Sequence, residues 1–177
     1  GKKVSDYYEL VRLDPGYRIY YGQDDVMDVP ASLEELYALF EKLEPGSKPK
    51  LDRFLKEAAE KYEAGINDLV HRPSRSVWEF ADPKLLKALF RLQLFTSIRK
   101  HVKGLFKNDK LVKLLEFPVY FLGALPENTP ALYSLMNYAD IKGGTWYPNK
   151  GMYEIVQGMY DLAVSLGVNF RFSHSVN

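Results

Sequence analysis

The chain has 177 residues, 46% of them hydrophobic, and a formal net charge of +1. This length supports one sizeable core, and the apolar content excludes a disordered tail. The near-neutral charge gives no support for nucleic-acid binding, and the lack of cysteine excludes disulfides, thiolate zinc sites and cysteine nucleophiles. No apolar run approaches the roughly 20 residues that cross a bilayer, so we expect a protein that is soluble or rests on a membrane surface.

Three short N-terminal segments are rich in the aromatic and β-branched residues that strands prefer, at 7–13, 17–21 and 26–29. Residues 14–16, Asp-Pro-Gly, have the composition of a turn between the first two segments. We therefore expect a small antiparallel β meander within residues 1–30.

Helical patterns occupy most of residues 31–142. Ser32 and Glu35 have the spacing of a capping box, and apolar residues follow at helical intervals. Further elements are predicted over about 50–70, 82–106, 108–118, 131–139 and 152–166 as helices, with an extended piece at 145–147 and a short closing strand at 168–172. The predicted class is α+β, with one mostly helical domain over 1–177.

The sequence offers little support for a metal or nucleotide site. His71, His101 and His174 lie far apart in the sequence, and none has a second ligand at metal-binding spacing. There is no P-loop, no Gly-x-Gly-x-x-Gly fingerprint and no nucleophile elbow. We therefore expect no metal site, and no cofactor bound by this chain alone.

A basic stretch spans residues 84–113, with nine Lys or Arg residues, one acid and interleaved bulky apolar residues. Such a pattern is typical of an amphipathic helix on a membrane surface, with Arg99, Lys100 and Lys103 facing the lipid. It is also typical of an ordinary core helix with a solvated basic face, which the acid-rich stretch 24–68 could neutralise within the fold. Both interpretations stay open.

Aromatic residues crowd into the last third of the chain. The cluster contains Tyr120, Phe121, Tyr133, Tyr138, Trp146 and Tyr147. Such a cluster is most often part of a core. It would equally suit the wall of a site for a long apolar ligand, because flat rings bury large areas at low entropy cost.

Around this cluster the sequence resembles a known family. Residues 117–138, which run from Phe-Pro-Val-Tyr-Phe-Leu-Gly through Ala-Leu-Tyr-Ser-Leu-Met, resemble the segment that follows the central helices of bacterial phytoene desaturases. Residues 144–152 resemble the Gly-x-Trp-aromatic-Pro motif that comes next, with Lys150 in place of one glycine. Residues 8–15 resemble the hairpin that opens the family's substrate domain, so the match runs over 7–176.

The resemblance implies the substrate-binding segment of an FAD-dependent phytoene or carotenoid desaturase, an amine-oxidase-like flavoprotein of carotenoid biosynthesis. Such enzymes remove hydrogen from C–C bonds of a long polyene and pass the electrons to FAD. The resemblance also implies that residues 143–177 return toward the flavin domain and that the FAD-binding halves lie outside this chain, which alone is expected to be inactive. The full-length protein is expected to be cytoplasmic and peripherally membrane-associated.

The same resemblance implies the site residues. The residues expected to contact the polyene are Tyr120, Leu122, Tyr133, Tyr138 and Trp146. The residues expected near the flavin are Tyr147, Pro148 and Gly151.

Glu79 is the candidate catalytic residue. It lies between Trp78 and Phe80, whose rings would desolvate its carboxylate and make it a better proton acceptor. The family often carries an acid near this point, although a surface carboxylate before a helix cap is the simpler interpretation. Two other functions stay open: a related saturase or oxidase acting on another polyisoprenoid, and a non-catalytic helical domain that binds lipid or membrane.

We expect the isolated chain to purify without flavin, because it has no glycine-rich phosphate cradle at a strand–helix junction. The visible absorbance spectrum of the purified protein checks this. A flavin band in stoichiometric amount would overturn the expectation.

Overall fold

The computed structural model describes residues 2–69 and 92–175, and its class is α+β, as the sequence predicts. The strands are β1 (Leu10–Arg12), β2 (Tyr17–Tyr20), β3 (Val26–Val29) and β4 (Trp146–Pro148). The α-helices are α1 (Leu33–Leu43), α2 (Lys48–Glu63), α3 (Ile98–Leu105), α4 (Asp109–Tyr120), α5 (Leu135–Gly143) and α6 (Tyr153–Ser165). Short 3₁₀ helices cover Val4–Asp6 and Ala131–Ser134, and a π-helical segment covers Ala64–Leu69.

The strands of the described chain form two separate antiparallel pairs. β2 and β3 make a hairpin, whereas β1 pairs with β4 from the far end of the sequence. The expected meander is therefore wrong in its connectivity, because β1 finds its hydrogen-bond partners in the segment that follows α5. The residues between β1 and β2 link the two pairs. There, the Leu13 amide donates to the Thr145 carbonyl at 2.9 Å, and the Gly16 amide donates to the Val29 carbonyl at 2.9 Å.

The core lies where the four helices α1 to α4 meet beneath the β2–β3 hairpin. Each helix contributes one apolar face, spaced as the sequence predicts for amphipathic helices. The largest fully buried apolar side chains are Leu36, Phe40, Leu51, Phe54, Ile98, Val102, Phe106, Leu111, Leu114 and Leu115. Phe40 and Phe106 meet edge to face at 5.5 Å between ring centroids, which joins α1 to the end of α3.

The start and end of α1 match the sequence signals. The Ser32 hydroxyl accepts a hydrogen bond from the Glu35 amide at 3.5 Å, which caps the first turn. The helix ends at Leu43, shortly before Gly46, whose φ of +80° is left-handed. A glycine tolerates this conformation without steric cost, so the chain can leave the helix there.

The prediction of one continuous helix over 82–106 is wrong for the residues from Leu92 onward. The first ten residues of that range lie outside the described chain. The backbone turns between Leu92 and Phe95, where Gln93 has a φ of 57° that a continuous right-handed helix does not allow. The helix begins only at Ile98. Its cap is the Ser97 hydroxyl, which accepts from the Lys100 amide at 3.2 Å.

Two other predicted boundaries also differ. Pro118 does not end α4, which continues to Tyr120, because Leu115 and Val119 on either side of the proline are buried and hold the last turn in the core. Residues 168–172 form no strand. Phe170 instead packs back on Tyr160 of α6, with 4.7 Å between ring centroids.

A buried lysine connects α2 to the second half of the fold. The Lys61 ammonium donates to the Gln93 amide oxygen at 2.8 Å, the Ala131 carbonyl at 3.1 Å and the Ser134 hydroxyl at 3.0 Å. These three acceptors match the three ammonium hydrogens, as a buried cation requires. Burial lowers the pKa of Lys61 to about 8.

A second buried charge connects α3 to α4. The Glu116 side chain is fully buried, and both of its oxygens accept from the Arg99 guanidinium at 2.8 Å. Arg99 also bonds to Glu127 beyond α4. The bidentate geometry satisfies a carboxylate that would otherwise be buried without a partner.

Replacing Arg99 with Glu is expected to destabilise the fold by about 3–5 kcal/mol, because Glu116 would stay buried without its partner. Lys100→Glu, at the exposed neighbouring position, makes the same change of charge and is expected to alter stability by no more than about 0.5 kcal/mol. Urea unfolding of the two variants compares them. Small and equal effects would mean that the Arg99–Glu116 pair does not stabilise the protein.

Candidate functional site: an apolar groove beside α5

An open apolar groove of about 490 Å³ lies between β2, the end of α4 and α5. Its lining residues are Tyr17, Phe117, Pro118, Phe121, Leu135, Met136, Ala139, Asp140 and Thr145. Apolar side chains dominate this lining, and the polar groups lie at the Tyr17, Asp140 and Thr145 side.

One wall of the groove is a row of three aromatic rings. Tyr17 of β2 stacks on Phe117 of α4 with 5.4 Å between centroids, and Phe117 meets Phe121 edge to face at 5.0 Å. Phe117 and Phe121 are four residues apart, so they share one face at the end of α4. Phe121 is 73% exposed and therefore lies at the mouth of the groove.

The opposite wall is one face of α5. Leu135, Met136, Ala139 and Asp140 recur at helical spacing along this wall. The position of α5 depends on the 3₁₀ helix before it, whose Ser134 hydroxyl accepts from buried Lys61. The 3₁₀ helix that leads into this wall is therefore held to α2 by a polar contact.

The polar side of the groove centres on Asp140. The Thr145 hydroxyl donates to its carboxylate at 3.2 Å, and the Tyr17 hydroxyl lies close enough to interact with it. Burial raises the pKa of Asp140, and burial together with the nearby Asp140 charge raises the pKa of Tyr17. Among the described residues, Asp140 forms no ion pair.

The five residues predicted to contact the polyene do not line this groove. Tyr120, Leu122 and Tyr133 are exposed. Tyr138 packs against Tyr62 of α2 at 5.5 Å between centroids, and the half-exposed Trp146 donates its indole N–H to the Gly143 carbonyl at 2.8 Å. Their role in substrate binding stays a prediction.

The sequence analysis missed Tyr17, Phe117, Met136 and Asp140 as site residues. The density of aromatic residues is highest in the last third of the chain, whereas Tyr17 belongs to β2 near the start of the chain. The useful signal was spacing: Phe117 and Phe121 stand four apart, and Met136 and Asp140 also stand four apart, so each pair shares a helix face.

The predicted near-flavin residues lie in and after β4. Tyr147 is 40% exposed, whereas Pro148 is buried. Gly151 has a φ of +108°, and apart from its own chain neighbours no residue lies within 4 Å of the place where a Cβ would stand. Tyr147 and the open backbone at Gly151 are therefore accessible to another group, and Pro148 is not.

In its described part, the basic stretch contains α3 and the start of α4, and α3 is an amphipathic helix that packs on the core. Ile98 and Val102 of α3 are fully buried, so they are not available for insertion into a membrane. Arg99 is occupied by its two carboxylate partners, whereas Lys100 and Lys103 are exposed. The role of these three residues at a membrane stays a prediction.

The candidate catalytic residue, Glu79, lies outside the described residues, so its surroundings are not described. Within the described chain, no three His, Asp or Glu side chains come together as a metal site, and no helix has both the length and the apolar character to span a membrane.

Helix α6 has apolar side chains exposed on several sides. The exposed large apolar residues of the helix are Tyr153, Val156, Met159, Tyr160, Leu162 and Val164. Its closest support is at Gly158, where an added Cβ would lie only 3.1 Å from Tyr7. A helix with apolar residues around its circumference is normally covered by other protein.

Curated relatives match the chain almost from end to end. The carotenoid 3,4-desaturase of Haloarcula japonica is 34% identical over 172 residues, which is 97% of this chain and 35% of that protein. The 4,4'-diapophytoene desaturase (4,4'-diaponeurosporene-forming) of Staphylococcus aureus is 31% identical over 176 residues, 99% of this chain and 35% of that protein. The zeta-carotene-forming phytoene desaturase of Myxococcus xanthus is 27% identical over 176 residues, 99% of this chain and 34% of that protein.

The chain is similar over nearly its whole length to carotenoid desaturases. The chain spans about a third of the length of these relatives. No family model matches it. The resemblance seen in the sequence of residues 7–176 is thus confirmed by the relatives, and the matched part of the chain contains the groove, β4 and α6.

Proposed function

We propose that this chain is the substrate-binding segment of an FAD-dependent carotenoid desaturase, and that its groove holds part of a long polyene. The observation that carries the proposal is the groove of about 490 Å³ with its aromatic wall and its apolar helix face. The names of the relatives add a substrate class, since they refer to carotenoid, phytoene and 4,4'-diapophytoene.

The physical chemistry of such a substrate suits the groove. A polyene is almost entirely hydrocarbon, so its binding is driven by apolar area removed from water, at about 25 cal/mol per Å². The rings of Tyr17 and Phe117 offer flat surfaces to a flat conjugated chain, and Met136 on the other wall is flexible enough to fill gaps. Binding here would hold the polyene along α5.

The flavin would be held mainly by other parts of a full-length desaturase, where it accepts the hydrogen that is removed from the substrate. In this chain, Tyr147 and Gly151 fit a position beside it. The backbone at Gly151 has open space in place of a side chain, so a flat ring system can approach it closely. Pro148 is buried and would support β4 instead.

Residues 143–177 are proposed to return toward the flavin-binding part of the full-length protein. Support comes from α6, whose exposed apolar side chains exceed what a free surface helix usually shows. An interface with the flavin-binding part would cover Met159 and Val156, which are 68% and 54% exposed.

We also propose that the full-length protein is cytoplasmic and associates peripherally with the membrane, where a hydrocarbon substrate is dissolved. The segment after α4 supports this, since Phe121, Leu122 and Leu125 are exposed and Phe121 also lines the groove. The exposed Lys100 and Lys103 would add attraction to anionic lipid, worth about 1 kcal/mol for each basic group.

Filling the groove should block polyene binding. Met136→Trp is expected to weaken the binding of a fluorescent polyene to this chain by at least about tenfold, because the larger ring occupies the ligand volume. Met159→Trp makes the same substitution on exposed α6 and should leave binding unchanged. Fluorescence titration measures both, and circular dichroism checks that each variant is folded. Undiminished binding by folded Met136→Trp would contradict the proposal.

One further variant and one further ligand extend this test. Trp146→Ala, measured in the same titration, asks whether the residues predicted from the sequence contact the polyene in addition to the groove. A saturated fatty acid serves as the ligand control. If the fatty acid binds as tightly as the polyene, the alternative of a general lipid-binding domain is favoured.

Membrane attraction should depend on the lysines of α3. The double variant Lys100→Glu/Lys103→Glu is expected to lose co-sedimentation with anionic liposomes, because both groups are exposed and Arg99 is left intact to hold Glu116. The control double variant Lys3→Glu/Lys150→Glu has the same net charge. Equal loss in both variants, or unchanged binding of the first, would exclude a docking role for these lysines.

A further inference from the structure

Asp140 places a carboxylate in the groove, and a pure hydrocarbon has no group that could hydrogen-bond to it. It is the charged residue among those that line the groove, and it lies on the same helix face as Met136. Arg12 lines a neighbouring cavity together with Asp140, and its guanidinium donates to the Ala31 carbonyl at 2.9 Å. Among the described residues, no ion pair involves the Asp140 carboxylate.

The Asp140 carboxylate can also accept more hydrogen bonds than its neighbours supply. Two carboxylate oxygens can accept about four hydrogen bonds, and the neighbours that approach this group are the hydroxyls of Thr145 and Tyr17. Asp140 is only half-buried. An apolar ligand that fills the groove would remove the carboxylate from solvent and leave it short of partners, whereas a ligand that supplies a donor would not. A hydroxyl is the uncharged donor that a polyene can carry with little added size.

We propose that the groove recognises a polyene that carries a hydroxyl group, and that this hydroxyl donates a hydrogen bond to the Asp140 carboxylate. The proposal rests on the polyene-binding function proposed above and adds the position and chemistry of a polar anchor. The apolar chain would lie between the rings of Phe117 and Phe121 and the side chain of Met136, with its hydroxyl at the Tyr17 and Thr145 side.

A purely structural role for Asp140 predicts different behaviour. In that case the carboxylate only joins Thr145 to β2, and ligands with and without a hydroxyl should bind equally. The anchor predicts discrimination between ligands of the same shape, and it predicts that the discrimination depends on the donor hydrogen of the ligand.

Three polyenes of one skeleton make this comparison. Retinol carries a hydroxyl, retinyl methyl ether keeps the oxygen but cannot donate, and axerophtene is the corresponding hydrocarbon. Their fluorescence is titrated against the intact 177-residue chain. We expect retinol to bind about tenfold more tightly than either of the others, as for a hydrogen bond to a charged group.

Substitutions then assign the preference to the carboxylate. Asp140→Asn keeps the size of the side chain and is expected to reduce the preference for retinol to below about threefold, with the affinity for axerophtene unchanged. Tyr17→Phe keeps the ring and removes its hydroxyl from the carboxylate, so the preference for retinol is expected to persist or increase. Thermal unfolding shows that both variants are folded.

The outcomes separate the two proposals. If the three ligands bind wild type equally, the anchor is wrong while the groove remains a polyene site. If none of them binds, both proposals fail. If Asp140→Asn keeps the full preference for retinol, the hydroxyl is recognised elsewhere and the anchor is again wrong. If Asp140→Asn does not fold, loss of the retinol preference in Tyr17→Phe would overturn the anchor, and its persistence there would support it.

Discussion

The pairing of β1 with β4 is the constraint on which the rest of the site depends. Arg12 lies opposite Trp146 in this pair, although more than half of the chain separates them in sequence. Beside it, the Leu13–Thr145 hydrogen bond brings the end of α5 next to the start of β2. Without this closure, Tyr17 and Asp140 would not share a groove, since they come from opposite ends of the chain.

Polar contacts complement the apolar core in holding the helices that build the groove. Lys61 fixes the 3₁₀ helix before α5, and the Arg99–Glu116 pair fixes α3 against α4. Each contact satisfies a buried charge, so its net contribution to stability is smaller than its geometry suggests, but removal of one partner is costly. These charges therefore specify how the helices are arranged more than they strengthen the fold.

Local features of the fold were accessible from the sequence, and long-range ones were not. The Ser32 cap acts over a few residues, so the sequence predicts it directly. The partner of β1 could not be predicted, because a three-residue strand carries too little pattern to choose between β2 and β4. The residues of the groove could not be predicted for a similar reason, because they are few, distant in sequence and mostly ordinary apolar types.

The exposed apolar surface of α6 has a practical consequence for work with this chain. Met159 of α6 and Leu166, which directly follows the helix, are 68% and 74% exposed, and in water such surface favours contact between one copy and the next. Concentrated samples are then prone to self-association, and their apparent size would change with dilution and detergent. Polar replacements at these two positions would make the chain easier to handle while leaving the groove, on another part of the fold, unaltered.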